Sequence, residues 1–281
     1  MVVKYNGGND MAAKLKITVL VENTVYTEGL LAEHGLSILL EFNNKKYLFD
    51  SGQGMALKNN AQKLGLDFNK LDGLILSHGH YDHTGGVSQL LEVNPMLDIY
   101  AHPDFQIDRY SQRGKRLVPV SYSGPEIKEF HQISNLTEIE NGMFLTGEIK
   151  NAENYINEKY KRKDNNDYIN DNFSDDLSLY FEGEDGLIVI LGCSHKGVLN
   201  ILKEIENKSG ISKIDKVIGG MHLMRAGEQR LKKIADYFKN KDVNEVYPLH
   251  CTGRKAASFF KEKLGDKIKF AGVGSIIEGE I

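Results

Sequence analysis

The sequence predicts a layered α/β protein, and three observations carry that expectation. Short apolar runs alternate with segments of helical spacing, turn residues separate them, and four apolar runs end in a histidine-bearing loop that opens a helix. In layered α/β proteins the carboxyl ends of strands form the site, so these loops are expected to share one rim.

Residues 1–13, polar and glycine-bearing as far as Met11, are expected to be a flexible leader to one domain over 14–281. Lys16–Glu22, Leu36–Phe42 and Lys46–Phe49 read as strands, with Asn43-Asn44 as a turn. Met55–Leu64 has helical spacing and Gly65 ends it. The apolar run Leu71–Leu76 reads as a buried strand, Val87–Leu91 as the helix behind Thr84-Gly85-Gly86, and Leu97–Ala101 as another strand. Leu177–Phe181 and Leu187–Leu191 are strands joined at Gly183–Gly186. They lead to helix Val198–Ile205, strand Lys216–Ile218, helix Glu228–Phe238, strand Glu245–Leu249 and helix Arg254–Lys263.

The middle, about 103–176, breaks this rhythm and is expected to be an insertion or lid outside the core. Its stretch Glu158–Asp167 mixes charges and reads as a solvated loop. A basic stretch holding Arg109, Arg113, Lys115 and Arg116 has two readings, a phosphate-binding pocket or a solvated surface loop. As a lid, it would supply cations for an anionic substrate.

Composition narrows the classes. With 281 residues, 41% of them hydrophobic, the chain can bury a large core, and a net charge of −4 gives no electrostatic case for a nucleic-acid partner. No apolar run approaches a membrane span and no signal-peptide pattern opens the chain, so a cytoplasmic protein acting on a small anionic molecule is expected, away from membranes. The sequence leaves a homo-oligomer open. Cys193 and Cys251 each lie in a polar loop beside a histidine, which favours reduced thiols near chemistry over a disulfide scaffold.

The chemistry concentrates in Ser77-His78-Gly79-His80-Tyr81-Asp82-His83, three imidazoles and a carboxylate within six residues directly after an apolar strand. Neutral imidazole and carboxylate suit zinc and its first-row neighbours. His195, His222 and His250 stand at later strand ends.

Leu48-Phe49-Asp50-Ser51-Gly52, the Ser77–Gly86 motif, His195 and His250 together resemble the metallo-β-lactamase superfamily over about residues 15–275. The resemblance implies an αββα sandwich with metal at one edge: His78, His80 and His195 on a first ion, and Asp82, His83 and His250 on a second. Asp50 would orient a ligand imidazole. Where the superfamily usually has a bridging aspartate, this chain has Gly192-Cys193-Ser194-His195. Cys193 is therefore either a thiolate bridge or, the favoured reading, a small buried cysteine in a tight turn. His222 is a ligand, a general acid or an ordinary loop histidine, and His34 either reaches the site or is a turn residue.

Within the superfamily, Glu33–Ser37, Phe144–Ile149, Gly192–Gly197, Gly219–Leu223 and His250–Gly253 resemble the 7,8-dihydropterin-6-methyl-4-(ribofuranosyl)aminobenzene 5′-phosphate synthases. The expected cofactors are two divalent transition metals, zinc first and manganese or iron as alternatives. Oxygen-reducing di-iron relatives carry a glutamate where this chain has His80, which speaks against redox work. The expected activity is hydrolysis of a small phosphorylated or ester-bearing metabolite by metal-bound hydroxide, with Asp82 and His222 as catalytic groups. A pterin-diphosphate-dependent transferase and a metal-binding module without turnover are the alternatives. The loop holding Thr252 and Gly253 runs into a helix, and its amides are candidates for holding a substrate phosphate or carboxylate.

Overall fold

In the computed structural model, which describes residues 13–150 and 159–281, the chain opens with β1 (Lys14–Val21), β2 (Ser37–Phe42), β3 (Lys45–Phe49) and α1 (Leu57–Lys63). Next come β4 (Gly73–Ile75), α2 (Tyr81–Thr84), α3 (Val87–Val93) and β5 (Ile99–Ala101). The middle supplies β6 (Arg109–Arg113), β7 (Arg116–Pro119), β8 (His131–Gln132), β9 (Thr137–Glu140), β10 (Met143–Leu145), β11 (Tyr160–Asp164) and β12 (Asp167–Asn170). β13 (Ser178–Gly183), β14 (Gly186–Leu191), α4 (Val198–Ser209), β15 (Ile214–Gly220) and α5 (Glu228–Asn240) follow. β16 (Glu245–Leu249), α6 (Gly253–Leu264) and β17 (Ile276–Glu280) complete the chain.

Two sheets face each other. The first has the order β17-β1-β2-β3-β4-β5-β8 and the second β16-β15-β14-β13-β10-β9. Their central strands, such as β2 and β14, are buried on both faces, which is why the sequence shows apolar runs there rather than strict alternation. In β14, Ile188 and Ile190 enter the layer between the sheets with Ile17, Ile38, Phe49 and Phe181. Leu187, Val189 and Leu191 point the other way and pack against Ile201 and Ile205 of α4, Ile234 and Phe238 of α5 and Phe260 of α6. On the outer face of the first sheet, Leu39, Leu48 and Leu74 meet Leu57 of α1 and Leu90 of α3. The layers run helix, sheet, sheet, helix. Each fully buried aliphatic side chain contributes roughly 1.5–3 kcal/mol to this arrangement.

The leader lies outside the described residues except for Ala13, whose backbone exchanges hydrogen bonds of 3.0 and 2.8 Å with Ile281. The middle departs from the expected loop. β8 and β9 are edge strands of the two main sheets, β10 lies between β9 and β13, and Ile133, Met143 and Leu145 sit in the central layer. β12-β11-β6-β7 form a further sheet, so the basic stretch is a hairpin and the described part of the mixed-charge stretch is another. Their short strands are too polar to show an apolar period; Gly114 and Asn165, at φ +63 and +53, mark the turns. Among the described residues no helix is long and apolar enough to cross a membrane.

Candidate metal centre

The first half of the site grows out of the ends of β3 and β4. Asp50 leaves β3 with φ +60, and its carboxylate accepts the Ser77 amide and hydroxyl, both at 2.7 Å, and His83 Nδ1 at 2.6 Å. One buried carboxylate thus ties two strand ends to a ring on α2. The Ser77 hydroxyl, having donated to Asp50, accepts from His78 Nδ1 at 2.9 Å, which leaves His78 Nε2 as the lone pair. Gly79 between the two histidines is a steric requirement: a Cβ there would lie 1.8 Å from the Phe105 carbonyl oxygen. His80 has extended backbone at the start of α2, and the helix then carries Asp82 and His83.

The second half comes from the parallel strands β14, β15 and β16, which deliver His195, His222 and His250 to the same end. Each exit has a non-glycine residue in left-handed backbone: Ser194 at φ +59, His222 at +50 and His250 at +47. Such strained positions cluster where side chains must be aimed.

The two halves meet in a nest of imidazoles. Ring centroids lie 4.6 Å apart for His78 and His80, 4.9 Å for His78 and His195, and 4.8 Å for His80 and His195. Beside them, His83 Nε2 is 3.2 Å from His250 Nε2 and 3.1 Å from Cys193 Sγ. Asp82 Oδ2 lies 3.4 Å from His250 Nε2 and 3.2 Å from His34 Nε2. Among the described residues, four sets hold their candidate ligand atoms within 4.8 Å of one another: His78, Cys193 and His195; His83, Cys193 and His250; Cys193, His222 and Cys251; and His34, Asp82 and His250.

This donor set fits a metal. His78 Nε2, His80 Nε2 and both ring nitrogens of His195 are buried with no hydrogen-bond partner. Leaving one such group unsatisfied costs about 1–3 kcal/mol, so several together point to a cation as their partner. Burial lowers the His78 and His195 pKa well below the usual value and that of His80 to about 3, so these rings offer neutral lone pairs. For His83 burial is outweighed by the Asp50 and Asp82 carboxylates, which lift it to about 9. Asp82 is also penalised by burial, yet His83, His250 and His34 hold its carboxyl well below the ordinary range. Burial pushes the Cys193 thiol up, an effect that a bound cation reverses.

The other sequence-derived candidates divide. His34 is exposed but does reach Asp82. Thr252 is buried, its hydroxyl accepting from the Met221 amide at 3.0 Å, so that side chain is already engaged within the protein. Arg109 is a correction. It is no surface cation: it is fully buried, with Nε on Asp171 at 2.9 Å and Nη2 on Asp175 at 2.8 Å, and Asp175 also receives the Gly79 amide at 2.8 Å. Arg113, Lys115 and Arg116 are exposed at the β6–β7 tip.

Several residues in contact with these histidines or their turns gave no sequence signal. Asn23 Oδ1 takes His250 Nδ1 at 3.0 Å, and Glu22 takes the His250 amide at 2.7 Å. Tyr160 of β11 stacks on His80 at 5.3 Å, and Phe173 lies flat on His195 at 4.0 Å. Asp176 accepts the Lys196 amide at 2.7 Å, holding the turn after His195.

The fold and this site define a class, and the chain belongs to it: the metallo-β-lactamase superfamily, whose description matches residues 31–154. Two relatives come from Methanocaldococcus jannaschii. An uncharacterized protein, MJ0448, is 33% identical, covering 93% of this chain and 99% of its own. A 7,8-dihydropterin-6-methyl-4-(β-D-ribofuranosyl)-aminobenzene-5′-phosphate synthase is 30% identical, covering 94% and 96%. The crystal structure of Tm1679, described as a metal-dependent hydrolase of the β-lactamase superfamily, is 30% identical and superposes with a TM-score of 0.80, covering 95% of this chain and all of that one.

Proposed function

We propose that the protein is a metal-dependent hydrolase of a small phosphorylated or ester-bearing metabolite, working through two divalent metals, zinc first. The observation that carries this reading is the set of buried, unsatisfied nitrogens of His78, His80 and His195 beside the converging His83, His250 and Asp82. His78, His80 and His195 would hold one ion, and Asp82, His83 and His250 the other. When bound, such ions lower the pKa of water, polarise a carbonyl or phosphoryl oxygen and stabilise a leaving oxyanion.

The chain's own residues do the positioning. Asp50 and Asn23 fix the tautomers of His83 and His250, so each presents Nε2 inward. Phe173 and Tyr160 cover His195 and His80, narrowing the access of bulk water. His222, 4.5 Å from the His195 ring, stands where it could hand a proton to a leaving group.

Transfer is the second reading, favoured by the synthase relative. The two separate by assay: turnover of a phosphodiester, a phosphomonoester or a lactone that stops with a chelator supports hydrolysis. Consumption of a pterin diphosphate only when an arylamine is present supports transfer. Elemental analysis finding no transition metal in the purified protein would defeat both readings.

A further inference from the structure

We propose that Cys193 is a thiolate ligand shared between the two metal positions, taking the place where a carboxylate bridge is usual in this fold. The inference rests on the reading of the site as a metal centre and deepens it. Cys193 Sγ is common to the His78–His195 set and the His83–His250 set. His83 Nδ1 donates to Asp50, and His250 Nδ1 donates to Asn23 Oδ1, an oxygen that also accepts the Gly35 amide at 3.3 Å. When both rings are neutral, as metal ligation requires, both Nε2 atoms carry lone pairs, and they face each other at 3.2 Å with the sulfur 3.1 Å from that of His83. Three electron-pair donors converge there, and one proton cannot serve every contact; a cation can.

The backbone is built to seat that sulfur. A Cβ on Gly192 would lie 2.2 Å from Ser77 Oγ, one on Gly219 2.1 Å from the Leu191 carbonyl oxygen, and one on Gly220 2.3 Å from the Gly192 carbonyl oxygen. These absences of side chain let the ends of β14 and β15 close on the histidine loop. Ser194, in left-handed backbone, donates to the Gly220 carbonyl at 2.7 Å, locking a turn that sends Cys193 and His195 toward the same space. Cys251 is placed differently. Its sulfur accepts the His222 amide at 3.2 Å and reaches the Cys193 carbonyl at 3.5 Å, and it joins neither imidazole pair. On metal binding the Cys193 S–H bond breaks, the proton passes to solvent water, and sulfur–metal bonds form.

Cobalt(II) loading tests this without reference to turnover. The full-length protein should take up about two equivalents, as a two-metal site does. A near-ultraviolet sulfur-to-cobalt absorption should grow through both additions. Cys251→Ser should keep the absorption and Cys193→Ser should lose it. Cys193→Asp, which restores a carboxylate and serves if the serine variant does not fold, should bind cobalt fully with no sulfur absorption. Absorption that survives either Cys193 change, disappears in Cys251→Ser, or stops growing after the first equivalent overturns the shared thiolate. Cobalt bound with no sulfur absorption overturns it too, while leaving the metal centre standing. A protein that takes up no cobalt overturns the metal centre and the thiolate together.

Discussion

Around the histidines the chain is buried and clamped by short hydrogen bonds to carboxylates, whereas the four-stranded sheet that reaches them through Tyr160 is mostly polar and exposes Arg113, Lys115 and Arg116 at its tip. The first region gains its order from the sandwich: its loops leave strands buried on both faces and tolerate no slack. The second has little core of its own and is anchored by one buried cation, Arg109, between Asp171 and Asp175. Ligand geometry is thus assigned to the rigid layers, and the surface that meets solvent is assigned to short strands whose side chains can vary without disturbing it.

Breaking the anchor is the most damaging change expected. Arg109→Met leaves two buried carboxylates without their cation and should lower stability by about 3–5 kcal/mol, read from denaturant midpoints. Next comes the metal side: His80→Ala should lose metal and activity together, and Asp50→Asn, which keeps the shape but not the charge behind His83, should weaken metal affinity about 10–100-fold by competition with a chelating dye. A third change sharpens the contrast through pH. Burial lifts the Asp176 carboxyl to about 7 from an ordinary 3.8, so between those values the folded state holds a proton the unfolded chain has lost. The Asp176 contribution to the stability of the chelator-treated protein should therefore fall as pH rises from about 4 to 7, by up to about 1.4 kcal/mol per pH unit, read as the difference between the parent protein and Asp176→Asn across that range; a difference that does not change with pH would refute it. The smallest effect belongs to the exposed tip. Joint replacement of Arg113, Lys115 and Arg116 by alanine should raise KM for an anionic substrate by a few-fold, each rim charge being worth about 0.2–1 kcal/mol, with metal content unchanged. An unchanged KM would make the tip an ordinary solvated hairpin.

The histidine-bearing loops were legible because each is local: an apolar run stops, a histidine follows, and a helix begins. Asp50 was legible for the same reason, standing at the end of β3. Arg109 was misread because its neighbours in sequence are cations, while its true partners lie 62 residues on at Asp171 and further still at Asp175. Burial and charge pairing of that kind exist only after the chain has folded. Tyr160 and Phe173 were invisible likewise, since an aromatic residue in a polar stretch has no period to place it. The small strands of the middle escaped because two or three apolar residues, as in Met143–Leu145, carry too little pattern to be distinguished from a loop.

The Arg109 contacts have a mechanical consequence. Asp175 holds Gly79 from one oxygen and Arg109 from the other, while Asp171 holds Arg109 and the amide of Phe173, the ring lying on His195. A side chain of the outer sheet is thereby riveted to the peptide between His78 and His80. Lifting the sheet would drag an ion pair out of its dry socket or tear it apart, and separation strands each charge. The sheet is accordingly expected to behave as a fixed wall rather than a swinging door. Amide exchange at Arg162 and Ile169, paired across β11 and β12, should then be released only with global unfolding; release at much lower free energy would mean that the wall opens by itself.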